Sequence, residues 1–156
     1  MNYVCKYDSP IGPLYLGEED GHLTHLVFSK ADPRLGGSVF GETSLLKQTK
    51  QELDEYFAGT RQSFSIPLRA QGTMFQEQVW GKLLEIPYGE TRSYKDLAQS
   101  MQSPGASRAI GITNSRNPIS ILIPCHRVIG QSGNLTGYAG GLAAKQFLLE
   151  LEQKHV

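Results

Sequence analysis

The residues best equipped for chemistry are three in a row, Cys125, His126 and Arg127, which follow the run Ile121-Leu122-Ile123-Pro124. A thiol with an ordinary pKa of about 8.5 is only a few per cent ionised at neutral pH, so a cysteine becomes a nucleophile when its neighbours stabilise the thiolate. An imidazole and a guanidinium beside it are groups of that kind. Taken alone, the Cys-His pair has two readings, a reactive thiol or a small buried cysteine next to a histidine. The other cysteine, Cys5, stands far away in sequence. The two form no disulfide framework for a small secreted fold, and they suit a reducing compartment.

Several elements must position these residues. Residues 121–124 are apolar but too few for a helix, so they read as a buried segment delivering Cys125. Residues 130–141 form a glycine-rich loop. Ala144, Phe147, Leu148 and Leu151 then fit the i, i+3, i+4, i+7 pattern of a closing amphipathic helix, with Glu152 at the edge of its packed face. Upstream, Thr73-x-x-Gln76 and Ser93-x-x-Asp96 are capping boxes that open two helices, the first carrying Phe75, Val79 and Leu83 at helical spacing. Ser103-Pro104 predicts an N-cap and first residue for a third helix, residues 104–114. Two short helices joined by a tight turn make a helix-turn-helix candidate. Residues 3–7, 14–16 and 23–28 alternate between turn signals as an antiparallel meander, and Leu46, Thr49, Leu53, Tyr56 and Phe57 predict one helix stopped by Gly59. Residues 60–72 read as a strand fragment and linker, which predicts two domains, 1–70 and 71–156.

With 156 residues, 39% hydrophobic and 19% charged, the composition is that of an ordinary globular protein rather than a disordered chain. The absence of a signal-like start or a long apolar stretch leads to the expectation of a soluble, cytoplasmic protein with no membrane partner. Net charge is zero, yet residues 91–127 hold five basic residues (Arg92, Lys95, Arg108, Arg116, Arg127) against the single acid Asp96. That excess fits either a nucleic-acid footprint or a solvated basic face.

Asn117-Pro118-Ile119-Ser120-Ile121-Leu122-Ile123-Pro124-Cys125-His126-Arg127-Val128-Ile129 resembles the active-site signature of the methylated-DNA–protein-cysteine methyltransferases, the O6-alkylguanine-DNA alkyltransferases. The likeness extends through Ile86-Pro87-Tyr88-Gly89-Glu90-Thr91, Ser93-Tyr94, Ser107-Arg108-Ala109-Ile110-Gly111 and Tyr138-Ala139-Gly140-Gly141-Leu142 to Glu152. The resemblance implies stoichiometric, single-turnover repair of O6-alkylguanine, with O4-alkylthymine as a further candidate. Cys125 takes the alkyl group, and His126 relays the thiol proton through a water to Glu152. Tyr94 hydrogen-bonds the leaving base, and Asn117 ties the active-site turn to the helix-turn-helix.

For DNA, the resemblance implies binding of the duplex through the minor groove, with the nucleotide flipped out and Arg108 filling the gap. Ser93, Tyr94, Ala109, Arg116 and Arg127 complete the DNA-contacting set. Pro124, Val128, Tyr138 and Ala139 line the substrate pocket, Ala139 standing where many relatives have serine. No cofactor is implied, and His22, His25 and Cys5 do not reproduce the metal-ligand spacing of zinc-bearing relatives, so no metal is expected. The expected molecule is a monomer of α+β class. It has a small ribonuclease-H-like antiparallel sheet with one helix, then a helical domain with a winged-helix-like helix-turn-helix.

Overall fold

Alternating apolar residues at the start of the chain produce a hairpin. Strand β1 (Asn2–Ser9) pairs antiparallel with β2 (Gly12–Glu19), which pairs antiparallel with β3 (His22–Val27). The tight β2–β3 connection, Asp20-Gly21, has both residues at positive φ (51° and 75°), the twist a two-residue hairpin turn requires. A two-residue strand β4 (Val39–Phe40) adds parallel to β1, giving the order β3-β2-β1-β4. Helix α1 (Ser44–Phe57) is capped by Thr43, whose hydroxyl accepts from the Leu46 amide. Its Leu46, Thr49, Leu53 and Tyr56 are fully buried, as are Leu14, Leu16, Leu23 and Leu26 of the sheet. Each such leucine contributes about 1.5–3 kcal/mol of burial.

The computed structural model describes Met1–Val156 and divides into two compact units, Met1–Gln71 with Pro118–Ser120, and Gly72–Asn117 with Ile121–Val156. Pro118–Ser120 join the first unit as an added strand fragment. The Leu26 amide donates to the Pro118 carbonyl (2.9 Å), and the Ser120 amide donates to that of Leu26 (3.2 Å). Further along the same edge of β3, Leu68 bridges Leu23.

In the second unit both predicted capping boxes form. Thr73 and Gln76 cap α2 (Met74–Leu84), and Ser93 and Asp96 cap α3 (Tyr94–Ser100). A two-residue parallel pair joins β5 (Arg92–Ser93) to β6 (Val128–Ile129). Helix α3 packs against α4 (Ser107–Ser115), the two short helices expected. The start of α4 differs from the prediction. Ser103 turns its hydroxyl back to the Met101 carbonyl, and Pro104-Gly105 form a turn closed by the Ala106 amide on the Ser103 carbonyl. The helix therefore begins three residues later, behind Ala106, without a side-chain cap.

Helix α5 (Leu142–Lys154) also departs from the expected face. Ala144, Lys145, Leu148 and Glu152 are buried, while Phe147 is 38% exposed. The stripe is rotated because Lys145 and Glu152 find polar partners inside, which hydrophobic spacing cannot register. The mixed α+β class stands as expected. No helix is long and apolar enough to cross a membrane.

Candidate active site

Ile121 opens the segment leading to the cysteine in the left-handed region, at φ 74°, a costly conformation for a β-branched residue that surrounding contacts must enforce. Asn117 Nδ2 donates to the Ile123 carbonyl at 2.7 Å, fastening this segment to the end of α4. A single 3-10 turn, Cys125–Arg127, follows Pro124, whose carbonyl accepts from the Arg127 amide at 3.0 Å. Asn114 Nδ2 reaches the Cys125 carbonyl at 3.4 Å, and Asn114 Oδ1 is buried without a partner. Cys125 is 3% exposed, His126 not at all, and both cysteines are thiols rather than a disulfide.

Glu152 organises the interior beside this turn. Its Oε2 meets His126 Nε2 at 2.7 Å, and Arg127 grips both oxygens, Nε to Oε1 at 2.8 Å and Nη2 to Oε2 at 3.1 Å. The Gly89 amide adds a fourth donor at 3.2 Å. Gly89 lies at φ 79° with its position pressed against the end of α5, so glycine is required there. Burial alone would raise the Glu152 carboxyl. His126 and Arg127 overcome that and hold it far below the usual carboxylate range.

Burial is also the main force on His126, lowering its pKa below the ordinary 6.5 against the pull of Glu152, with Arg127 and Lys145 adding to the decrease. The result is a neutral imidazole whose Nε2–H is committed to a carboxylate. Its Nδ1 is buried with no hydrogen-bond partner, and this is the nitrogen left to accept a proton.

A second polar cluster involves Lys145, completely buried. Its ammonium donates to the Val128 carbonyl (2.6 Å) and to the carbonyl and hydroxyl of Thr136 (3.3 Å each). The Thr136 hydroxyl lies 2.5 Å from that of Tyr94. Burial lowers the Lys145 pKa, and negative charge on Cys125 opposes the change, so the ammonium and a Cys125 thiolate favour one another.

The family model described as the 6-O-methylguanine DNA methyltransferase DNA-binding domain matches residues 74–154, and the corresponding ribonuclease-like domain matches residues 2–70. The chain belongs to this methyltransferase family. A methylated-DNA–protein-cysteine methyltransferase of Mycobacterium leprae is 51% identical over 158 residues, covering 100% of this chain and 95% of the relative. The Mycobacterium tuberculosis O6-methylguanine methyltransferase superposes with a TM-score of 0.93 at 44% identity, covering 100% of this chain and 95% of that one. A structure of the M. tuberculosis OGT in complex with DNA gives 0.92 at 44% identity, covering 99% and 94%.

In this methyltransferase-family chain, the structure gathers Cys125, His126, Glu152 and Asn117 around one turn, and joins Tyr94 to the 130–141 loop through Thr136. Two expectations need correction. A water between His126 and Glu152 has no place, because the side chains meet directly at 2.7 Å. Arg127 does not belong to the DNA-contacting set, being 8% exposed with its guanidinium spent on Glu152 and on the Ile86 carbonyl at 2.7 Å.

Arg108 and Ala109 are exposed on α4 and Arg116 is exposed at its C-cap, whereas Ser93 is half-buried with its hydroxyl accepting from the Asp96 amide. Pro124 and Val128 are buried, Val128 with its carbonyl already taking Lys145. Tyr138 is half-buried and Ala139 exposed. Sequence reasoning missed Lys145, Thr136 and Asn114. A lysine and a threonine in a polar stretch give no signal of burial, and only the rotated face of α5 reveals the first.

Proposed function

We propose that this chain repairs O6-alkylguanine in double-stranded DNA by transferring the alkyl group to Sγ of Cys125, once per molecule. The observation that carries the reading is the His126 imidazole, held by Glu152 through Nε2 and left with an unpartnered Nδ1 beside the cysteine in sequence. In this account Nδ1 takes the thiol proton and the thiolate attacks the alkyl carbon. The carbon–O6 bond breaks with its electron pair going to the base, which then recovers a ring proton from water. The thioether has no route back, so the protein is consumed. No cofactor enters.

Tyr94 assists by hydrogen-bonding the departing base, and Asn117 keeps the turn in register. The target nucleotide leaves the duplex at a cost of a few kcal/mol. Exposed Arg108 on α4 takes its place from the minor-groove side, and Ala109, Arg116 and Ser93 supply further DNA contacts. Pro124, Val128, Tyr138 and Ala139 receive the base. With Cys125 only 3% exposed, neighbouring side chains must part before the alkyl carbon reaches sulfur. Because one chain holds every group named, a monomer suffices. The two thiols suit the cytoplasm.

The test is to mix the protein with a duplex containing one O6-methylguanine and weigh its peptides. A methyl group appears on the Cys125 peptide and is absent from Cys125→Ala. A methyl group on Cys5 instead, or none, removes the reading.

A further inference from the structure

Between Lys145 and Tyr94 stands a residue that nothing so far has given a role. Thr136 Oγ1 receives an N–H from Lys145 at 3.3 Å and lies 2.5 Å from the Tyr94 hydroxyl. We infer that Thr136 is a positioning residue for alkyl transfer, donating its hydroxyl hydrogen to the Tyr94 oxygen so that the phenolic hydrogen stays available to the departing base. The inference rests on the reading above and deepens it.

The direction of the chain follows from counting donors. An ammonium has three N–H groups and no acceptor. Lys145 is fully buried, and its three partners are the Val128 carbonyl, the Thr136 carbonyl and Thr136 Oγ1. Thr136 Oγ1 is therefore already an acceptor, from a cation, and has a single hydrogen to place. Its short contact with Tyr94 can run either way. If Tyr94 donated, its hydrogen would be spent on Thr136 and nothing would remain for the base. If Thr136 donates, the tyrosine oxygen is the acceptor and its hydrogen points elsewhere.

The adjacent positive charge decides between them. An oxygen accepting from an ammonium becomes a poorer second acceptor and a stronger donor, because successive hydrogen bonds polarise one another. The same polarisation strengthens Tyr94 as a donor. Guanine leaves as an anion, so a stronger donor aimed at it lowers the barrier, whereas a leaving group that needs no hydrogen bond gains nothing.

That difference supplies the test, run on the full-length chain with two probes. One is a duplex holding O6-methylguanine, and the other is iodoacetamide, whose iodide departs without a donor. Thr136→Val, which keeps shape and removes the hydroxyl, is expected to slow methyl transfer about tenfold and to leave the iodoacetamide rate at Cys125 within about twofold. Thr136→Ser restores transfer. Adding Thr136→Val to Tyr94→Phe changes the rate little, since the two act as one unit.

Transfer by Thr136→Val at the wild-type rate overturns the inference. So does an equal loss with both probes, which marks a disturbed pocket, or a full tenfold effect of Thr136→Val in the Tyr94→Phe background. Should Thr136→Val fail to fold, Thr136→Ala against Thr136→Ser makes the same comparison. A wild-type chain that never methylates Cys125 sinks the underlying reading, an outcome visible in the reference reaction before any variant is compared.

Discussion

Four donors converge on the Glu152 carboxylate and keep it ionised, while burial keeps the adjacent His126 neutral. His126 is buried and its pKa is lowered, so below pH 6.5 the unfolded chain takes up a proton that the folded chain resists. Stability therefore falls as pH drops through 6.5 toward the lower folded value. The Glu152 pKa is depressed as well, so its contribution is complete above the unfolded value of 4.5 and is lost as pH falls from there. Urea unfolding from pH 7 to 4 should show a steady loss beginning near 6.5, and a flat profile over that range is the contrary result. Cys125 and His126 were legible in sequence because the motif around them is dense. Glu152 was legible only by resemblance, because a carboxylate near a helix end is ordinarily solvated. Arg127 was misread for a related reason: its charge suggested DNA, whereas a guanidinium fork also matches a buried carboxylate.

At the scale of elements, the capping boxes at Thr73-Gln76 and Ser93-Asp96 were readable because both partners are local in sequence. The start of α4 was not, since a Ser-Pro-Gly stretch encodes an N-cap and a turn almost equally well, and here the turn prevails. The face of α5 was misread because hydrophobic periodicity does not detect a lysine or glutamate that is buried with its partners. Helix α4 presents Arg108 to solvent, and its proposed task is to fill the space left by the extruded nucleotide. Arg108→Ala should then slow repair in duplex DNA by about tenfold or more, given an extrusion cost of a few kcal/mol. Reaction with free O6-methylguanine base should change little. Parallel losses on both substrates would refute the gap-filling role.

Across the whole molecule the net charge is zero, and the basic excess on the DNA-binding side is smaller than the sequence suggests. Of the five cations in residues 91–127, Arg127 faces inward and Arg92 is paired with Glu90 at 3.1 Å. At most four phosphate contacts remain from this region, so log K against log salt should have a slope no steeper than about −4. Fluorescence anisotropy across a sodium chloride series measures it, and a slope near −7 would require a larger binding surface.

The break of periodicity over residues 60–72 is the signal behind the expected domains 1–70 and 71–156. It carries no sign of the return of Pro118–Ser120 to the first unit, because three residues leave no repeating pattern. The measurement that bears most directly on a self-consuming thiol is a count of methyl groups removed per protein molecule when alkylated duplex is in tenfold excess. The account predicts a plateau at one equivalent, however long the incubation. Continued release past that point, or an undiminished plateau in Cys125→Ser, would contradict it.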